Sequence, residues 1–120
     1  MKLTDEAKKD ILNFVLKLVA AIADKEYQKR VWIRGEGPEC DDFIETACHF
    51  SNEGNGVLED YKDFGITESQ YKTLKMFRDE FEAFSDENDF PEVFIDTPEW
   101  GRITEMAKEV LKAFNYQKPR

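Results

Sequence analysis

Three observations predict an all-α, single-domain fold, packed as a four-helix or an irregular five-helix bundle. Apolar residues recur at helical spacing in long segments, these segments open on capping residues, and no alternating strand pattern extends beyond about four residues around Trp32. At 120 residues and 41% hydrophobic, the chain matches one domain, 1–120, with one core. Ten Phe, four Tyr and two Trp supply the bulk to fill that core without disulfides or a structural metal, so no cofactor is expected.

The first helix opens on Thr4, with Asp5 and Glu6 in its first turn, and Ala7, Ile11, Phe14, Val15, Leu18 and Ile22 follow at helical spacing. Its second side, Leu12, Leu16, Val19 and Ala23, is apolar too, which leaves a narrow polar stripe of Asp10, Asn13, Lys17 and Asp24. This is expected to be the central helix, covered on most sides. Residues 24–30 are charged and can extend it by two turns. Val31, Trp32 and Ile33 favour β structure, and Gly35 and Gly37 break any regular element, so a connector is expected here.

Pro38 suits the first position of a second helix with Gly37 as its cap, and Glu39, Asp41 and Asp42 complement that N-terminus. Phe43, Ala47 and Phe50, flanked by Cys40, Ile44 and Cys48, form its apolar face until the glycines of residues 51–56 interrupt it. Val57, Leu58 and Tyr61 then make a short helix closing at Gly65, or the same helix continued past a kink.

Thr67-Glu-Ser-Gln70 is a capping box, and behind it Tyr71, Leu74, Phe77, Phe81 and Phe84 define a third helix. Its outer stripe is Lys72, Lys75, Asp79, Glu82 and Asp86. The stretch 85–95 is too hydrophobic for disorder and is expected as a loop pinned to the core. Thr97 and Pro98 start a fourth helix with Trp100, Ile103, Ala107, Val110, Leu111 and Phe114 on its buried side, and residues 117–120 are expected to fray.

The net charge of −9 is unevenly placed. Residues 1–34 hold eight Lys/Arg against five acids, residues 35–64 one Lys against nine, and residues 79–99 nine acids with no Lys or Arg. With a pI near 4.7, nucleic acid and anionic membrane are poor partners, and a basic protein is the favoured one. Residues 11–23 resemble a signal-peptide core, but acids precede the run and Asn13 and Lys17 interrupt it. It is also shorter than a bilayer span, so a cytoplasmic protein is expected. Cys40 and Cys48, about 12 Å apart along one helix, are expected to be free thiols packed in the core, as in a reducing compartment.

Few residues offer chemistry. Glu45, His49 and Glu53 are four apart and can line one side of a helix as metal ligands. A lone His without paired Glu-x-x-His motifs favours an ordinary imidazole, and the same flanking acids oppose a phosphohistidine. Neither cysteine has an activating sequence, so no catalytic residues are assigned. Arg30, Trp32 and Arg34 alternate. The favoured reading is that Trp32 packs while the arginines pair with Glu36, Asp41 or Asp42; the sharper one makes Trp32 and Arg34 interface anchors. For an acidic partner-binding surface, Glu36, Glu39, Asp41, Asp42 and Glu45 are the first candidates and Asp79, Glu82 and Asp86 the second. The two sets merge only if the second and third helices are adjacent.

With Glu-Tyr-Gln-Lys-Arg-Val-Trp-Ile-Arg-Gly-Glu-Gly-Pro-Glu-Cys-Asp-Asp-Phe at 26–43 and Phe-Ile-Asp-Thr-Pro-Glu-Trp at 94–100, the chain resembles small bacterial immunity proteins. More narrowly, it looks like those paired with toxins of contact-dependent growth inhibition. The resemblance lies in size, acidity and helicity, with no diagnostic motif, so no binding residue is carried over. It implies a cytoplasmic, non-catalytic protein, monomeric or a weak homodimer, that binds a cognate toxin domain, often a nuclease, and blocks its active site or another essential surface. The alternatives are a small helical enzyme or metal-binding bundle, and a subunit that self-associates through Trp32 or Trp100.

Overall fold

The computed structural model describes residues 4–37 and 41–116, and these form helices α1 (Asp5–Ala23), α2 (Lys25–Tyr27) running into a π-helical stretch (Gln28–Ile33), α3 (Phe43–Glu59), α4 (Glu68–Glu87), α5 (Pro91–Phe94) and α6 (Pro98–Ala113). The fold is all-α. The four long helices pack as a ring in chain order, α1 against α3, α3 against α4, α4 against α6 and α6 against α1.

Cross-helix contacts set the directions. Gln70 at the start of α4 donates to the carbonyl of Ala113 at the end of α6, while Glu80 further along α4 pairs with Arg102 early in α6. Ser51 and Asn55 of α3 bond to Glu82 and Arg78 of α4, so these two helices are antiparallel as well. One end of the bundle is thus where α3 and α6 begin and α4 finishes, and α2, the π stretch and α5 lie across it.

That capped end holds most of the aromatic mass. Trp100, Phe43 and Phe81 are fully buried, and Phe43 touches Trp32, Phe81, Phe94 and Trp100 at centroid distances between 4.9 and 6.0 Å. Edge-on packing of this kind adds to the free energy of burial because the positive ring edge meets a negative face. Gln28 is buried among these rings with every polar atom used. Its Nε2 donates to the carbonyls of Ala21 and Ile22, two acceptors in the last turn of α1, and its Oε1 accepts from Trp100 Nε1 at 2.9 Å.

Several expectations are corrected. Residues 31–33 are not extended. Gln28, Val31 and Trp32 stand at helical spacing, and burying all three on one face outweighs the β preference of the individual side chains. The ring is a bundle of four corners, so α1 is not central, and Phe14 is 40% exposed on it.

Helix α3 starts at Phe43, where Asp42 Oδ1 accepts from the Glu45 amide; the expected start at Pro38, with Glu39 and Cys40, lies outside the described residues. It then runs without a break through Gly54 and Gly56. A Cβ at Gly54 would meet the Phe50 ring at ordinary contact distance, and two propensity penalties of about 1 kcal/mol are outweighed by burying Phe50, Val57 and Leu58 on one helix. The turns beyond it end at Gly65 (φ +71), with Ile66 N–H bonding to the Tyr61 carbonyl and Gly65 N–H to that of Lys62. This is the left-handed helix stop expected there.

The Thr67–Gln70 capping box is present in full, and Thr97 caps α6 ahead of Pro98. The stretch 85–95 is only partly pinned: Pro91, Phe94 and Ile95 are buried in and beside the single turn of α5, whereas Phe90 and Val93 face solvent. Cys48 is exposed on the flank of α3, because Thr46 takes the inward position. The Thr46 hydroxyl there has a partner in Asp41. The expected fraying of residues 117–120 lies outside the described residues.

Candidate partner-binding surface

The acidic residues singled out in the sequence fall into three environments. Asp41 faces inward and holds the connector: its carboxylate accepts from Tyr27 Oη at 3.1 Å, Trp32 Nε1 at 3.4 Å and Thr46 Oγ1 at 2.9 Å. Its oxygens accept from three uncharged neighbours, and of the expected arginine partners it is Glu36 that pairs with Arg34. Asp42 is the N-cap of α3. Glu36 is exposed and paired with Arg34 at 3.5 Å, and Arg30 reaches its carbonyl at 3.4 Å while lying over the Tyr27 ring. Glu39 lies outside the described residues.

Trp32 is only 8% exposed. Its ring packs on Tyr27, Phe43 and Trp100, so the packing role is the one the geometry carries. Because residues 30–34 are helical, Arg30 and Arg34 share a side and Trp32 points away from them, contrary to the single face that an extended strand would give.

On α4, Asp79 lies between Arg78 Nε at 2.8 Å and Lys75 Nζ at 3.4 Å. The hydrogen bond from Arg78 holds its carboxyl below the ordinary aspartate range against the opposing effect of desolvation, and Lys75 adds to the lowering. With two cations beside it, Asp79 contributes little net negative field. Glu82 is half-buried and accepts from Ser51 Oγ of α3 at 3.0 Å, and Asp86 is exposed one turn further on.

The condition for merging the two acidic sets is met, since α3 and α4 are neighbours. Two bonded pairs fix the register, Asn55 with Arg78 and Ser51 with Glu82, so that one turn back along α3 corresponds to one turn forward along α4. Continued in that register, Cys48 is level with Ser85, and Ile44 with the segment following α4 at Asp89. Asp42 and Glu45 therefore share the capped end with Asp86, Glu87 and Asp89. Residues 41–61 and 79–99 contain no Lys or Arg, so the cations at this end are those of α2 and the π stretch, of which Lys25 pairs with Asp96 at 3.2 Å.

Sequence reasoning missed the apolar residues of this end. Ile44 is 53% exposed, Phe90 62% and Val93 74%. The signal for Ile44 was present: Phe43, Phe50 and Val57 repeat every seven residues, which leaves Ile44 out of phase with the buried face. Nothing comparable marks Phe90 and Val93. Glu45, His49 and Glu53 remain four apart on one helix, but His49 is exposed with its ring edge-on to Phe14. Among the described residues no three His, Cys, Asp or Glu side chains converge as metal ligands, and no helix is long and apolar enough to cross a membrane. No family model matches the chain, and neither a curated protein nor a solved structure is similar enough to assign it.

Proposed function

We propose that this is a non-enzymatic, cytoplasmic protein-binding inhibitor, an immunity protein that neutralises a cognate bacterial toxin domain through its acidic end. The observation that supports the proposal is the α3/α4 register, which brings Glu45 to the same end of the bundle as the acids following Glu82, in two segments that carry no Lys or Arg. A surface of one sign accelerates encounter with a partner of the opposite sign and disfavours wrong partners, which suits an inhibitor that must capture its target quickly. The resemblance to immunity proteins of contact-dependent growth inhibition supplies the partner class, with a basic nuclease domain as the leading target.

The test begins with the neighbouring reading frame. Its C-terminal domain is expressed with and without this protein, and rescue of growth by co-expression is the expected result. Glu45→Lys with Asp86→Lys should then slow association about tenfold at low salt and flatten the dependence of that rate on ionic strength. Both side chains are exposed, so the urea midpoint should stay within about 0.5 kcal/mol of the parent. Full-speed association by this variant in a folded state rules out the acidic mechanism.

A further inference from the structure

Asn55-Gly56 is the chain's single Asn-Gly pair. Such a pair favours tight turns, yet here it lies inside α3, near the end of that helix at Glu59. It is also the dipeptide in which an asparagine side chain is most readily attacked by the next amide nitrogen, because glycine has no Cβ to shield that nitrogen or restrict the backbone. Three features oppose the attack. Gly56 N–H belongs to the helical ladder, whose bonds run to the carbonyl four residues back, so its proton is engaged. Asn55 Oδ1 accepts from Arg78 Nη1 of α4, which ties the carboxamide to the neighbouring helix, and Arg78 is itself held by Asp79 at 2.8 Å. Val57 and Leu58 are buried and anchor the turn that follows.

We propose that Asn55 is a deamidation site gated by the fold, closed while α3 is wound and Arg78 holds the carboxamide, and open when the end of α3 unwinds. The Gly56 nitrogen then gives up its proton and bonds to Asn55 Cγ, the bond from Cγ to the side-chain nitrogen breaks, and ammonia leaves. A cyclic succinimide remains, which water opens. Cleavage between Cγ and the nitrogen leaves aspartate in an unaltered main chain. Cleavage between the main-chain carbonyl carbon and the nitrogen leaves isoaspartate, with the chain running through Cβ and Cγ. The two products differ in consequence. Aspartate at 55 turns a neutral contact with Arg78 into an ion pair between α3 and α4. Isoaspartate lengthens the main chain, so Val57 and Leu58 lose their phase with Phe50. The inference is independent of the inhibitor reading.

The full chain is incubated at mildly alkaline pH in buffer and in guanidinium chloride, and peptide mapping by mass spectrometry follows aspartate and isoaspartate at 55. Folded protein should deamidate at least about tenfold more slowly than unfolded protein, in proportion to the population of the open state. Arg78→Ala, with its helical circular dichroism intact, should raise the folded-state rate about tenfold and leave the rate in guanidinium unchanged. A Cβ at Gly56 meets nothing within 4 Å, so Gly56→Ala should fold, and it should suppress the reaction in both solvents. Comparison of the parent in the two solvents decides the gate even if Arg78→Ala is poorly folded. Equal parent rates in buffer and guanidinium overturn the proposal. So do an unchanged folded-state rate in a folded Arg78→Ala, acid formed at Asn52 in place of Asn55, and a Gly56→Ala variant that reacts as fast as the parent when unfolded.

Discussion

Trp32 and Gln28 show how much of this fold depends on single side chains of one short stretch. Trp32 is buried against three aromatic rings and donates to Asp41, so Trp32→Ala should cost about 3–5 kcal/mol, read as a lower urea midpoint. Cys48 is exposed, and Cys48→Ala should fall within about 0.5 kcal/mol of the parent in the same measurement. Gln28→Ala strands the Trp100 indole N–H and removes the donor to two α1 carbonyls, for an expected loss of about 1–3 kcal/mol before any cavity is counted. A loss for Gln28→Ala no greater than that of Cys48→Ala would show that the buried network is dispensable. Polarity gave no hint of this role, because a glutamine among charged residues looks like surface until its helical phase with Val31 and Trp32 is considered.

At the level of elements, legibility followed the strength of the local signals. Helix α4 was readable in full, because Thr67 and Gln70 satisfy each other's amides and the aromatic repeat begins directly behind them; Thr67→Ala should cost about 1 kcal/mol in the urea midpoint. The glycines at 54 and 56 leave a break or a kinked continuation of α3 equally open, and the helix continues because the gain from burying residues on both sides exceeds the local penalty. The π stretch was read as extended because Val31, Trp32 and Ile33 were weighed by propensity and not by phase.

Helix α4 also carries a clear electrostatic perturbation. The Asp79 carboxyl is lowered chiefly by Arg78, so its stabilising effect is present above the unfolded-state value and is lost as pH falls through the lower folded value. Its exposure makes that effect small. Carbon-detected titration should place Asp79 below a free aspartate, and Arg78→Ala should move it back up.

At the scale of the whole molecule, four long helices stand in chain order around one core. A helical circular dichroism spectrum that a chelator leaves unchanged is the expected outcome, and loss of the helical signal on chelation would contradict it. The helical bundle was legible because strong caps open the long helices, whereas the ring order was not, since two apolar sides on α1 point to a central helix. The candidate surface was legible only in half. Charge counts located the acids of residues 36–45 and 79–99, but which of them have a cation beside them depends on Lys25, Arg34, Lys75, Arg78 and Arg102, and those pairings appear only once the helices are placed. The exposed Ile44, Phe90 and Val93 were unreadable for the opposite reason: an apolar side chain in a sequence is assigned to the core by default.

The aromatic cluster beneath the capped end has a practical consequence. The chain has two tryptophans, Trp32 and Trp100, and their rings lie 6.3 Å apart in that cluster. Intrinsic fluorescence therefore samples one end of the bundle and is nearly blind to the other. A partner seated on that end should shift the emission without any label. Opening of the turns around Gly65 or Asn115 should pass unseen until the whole ring comes apart.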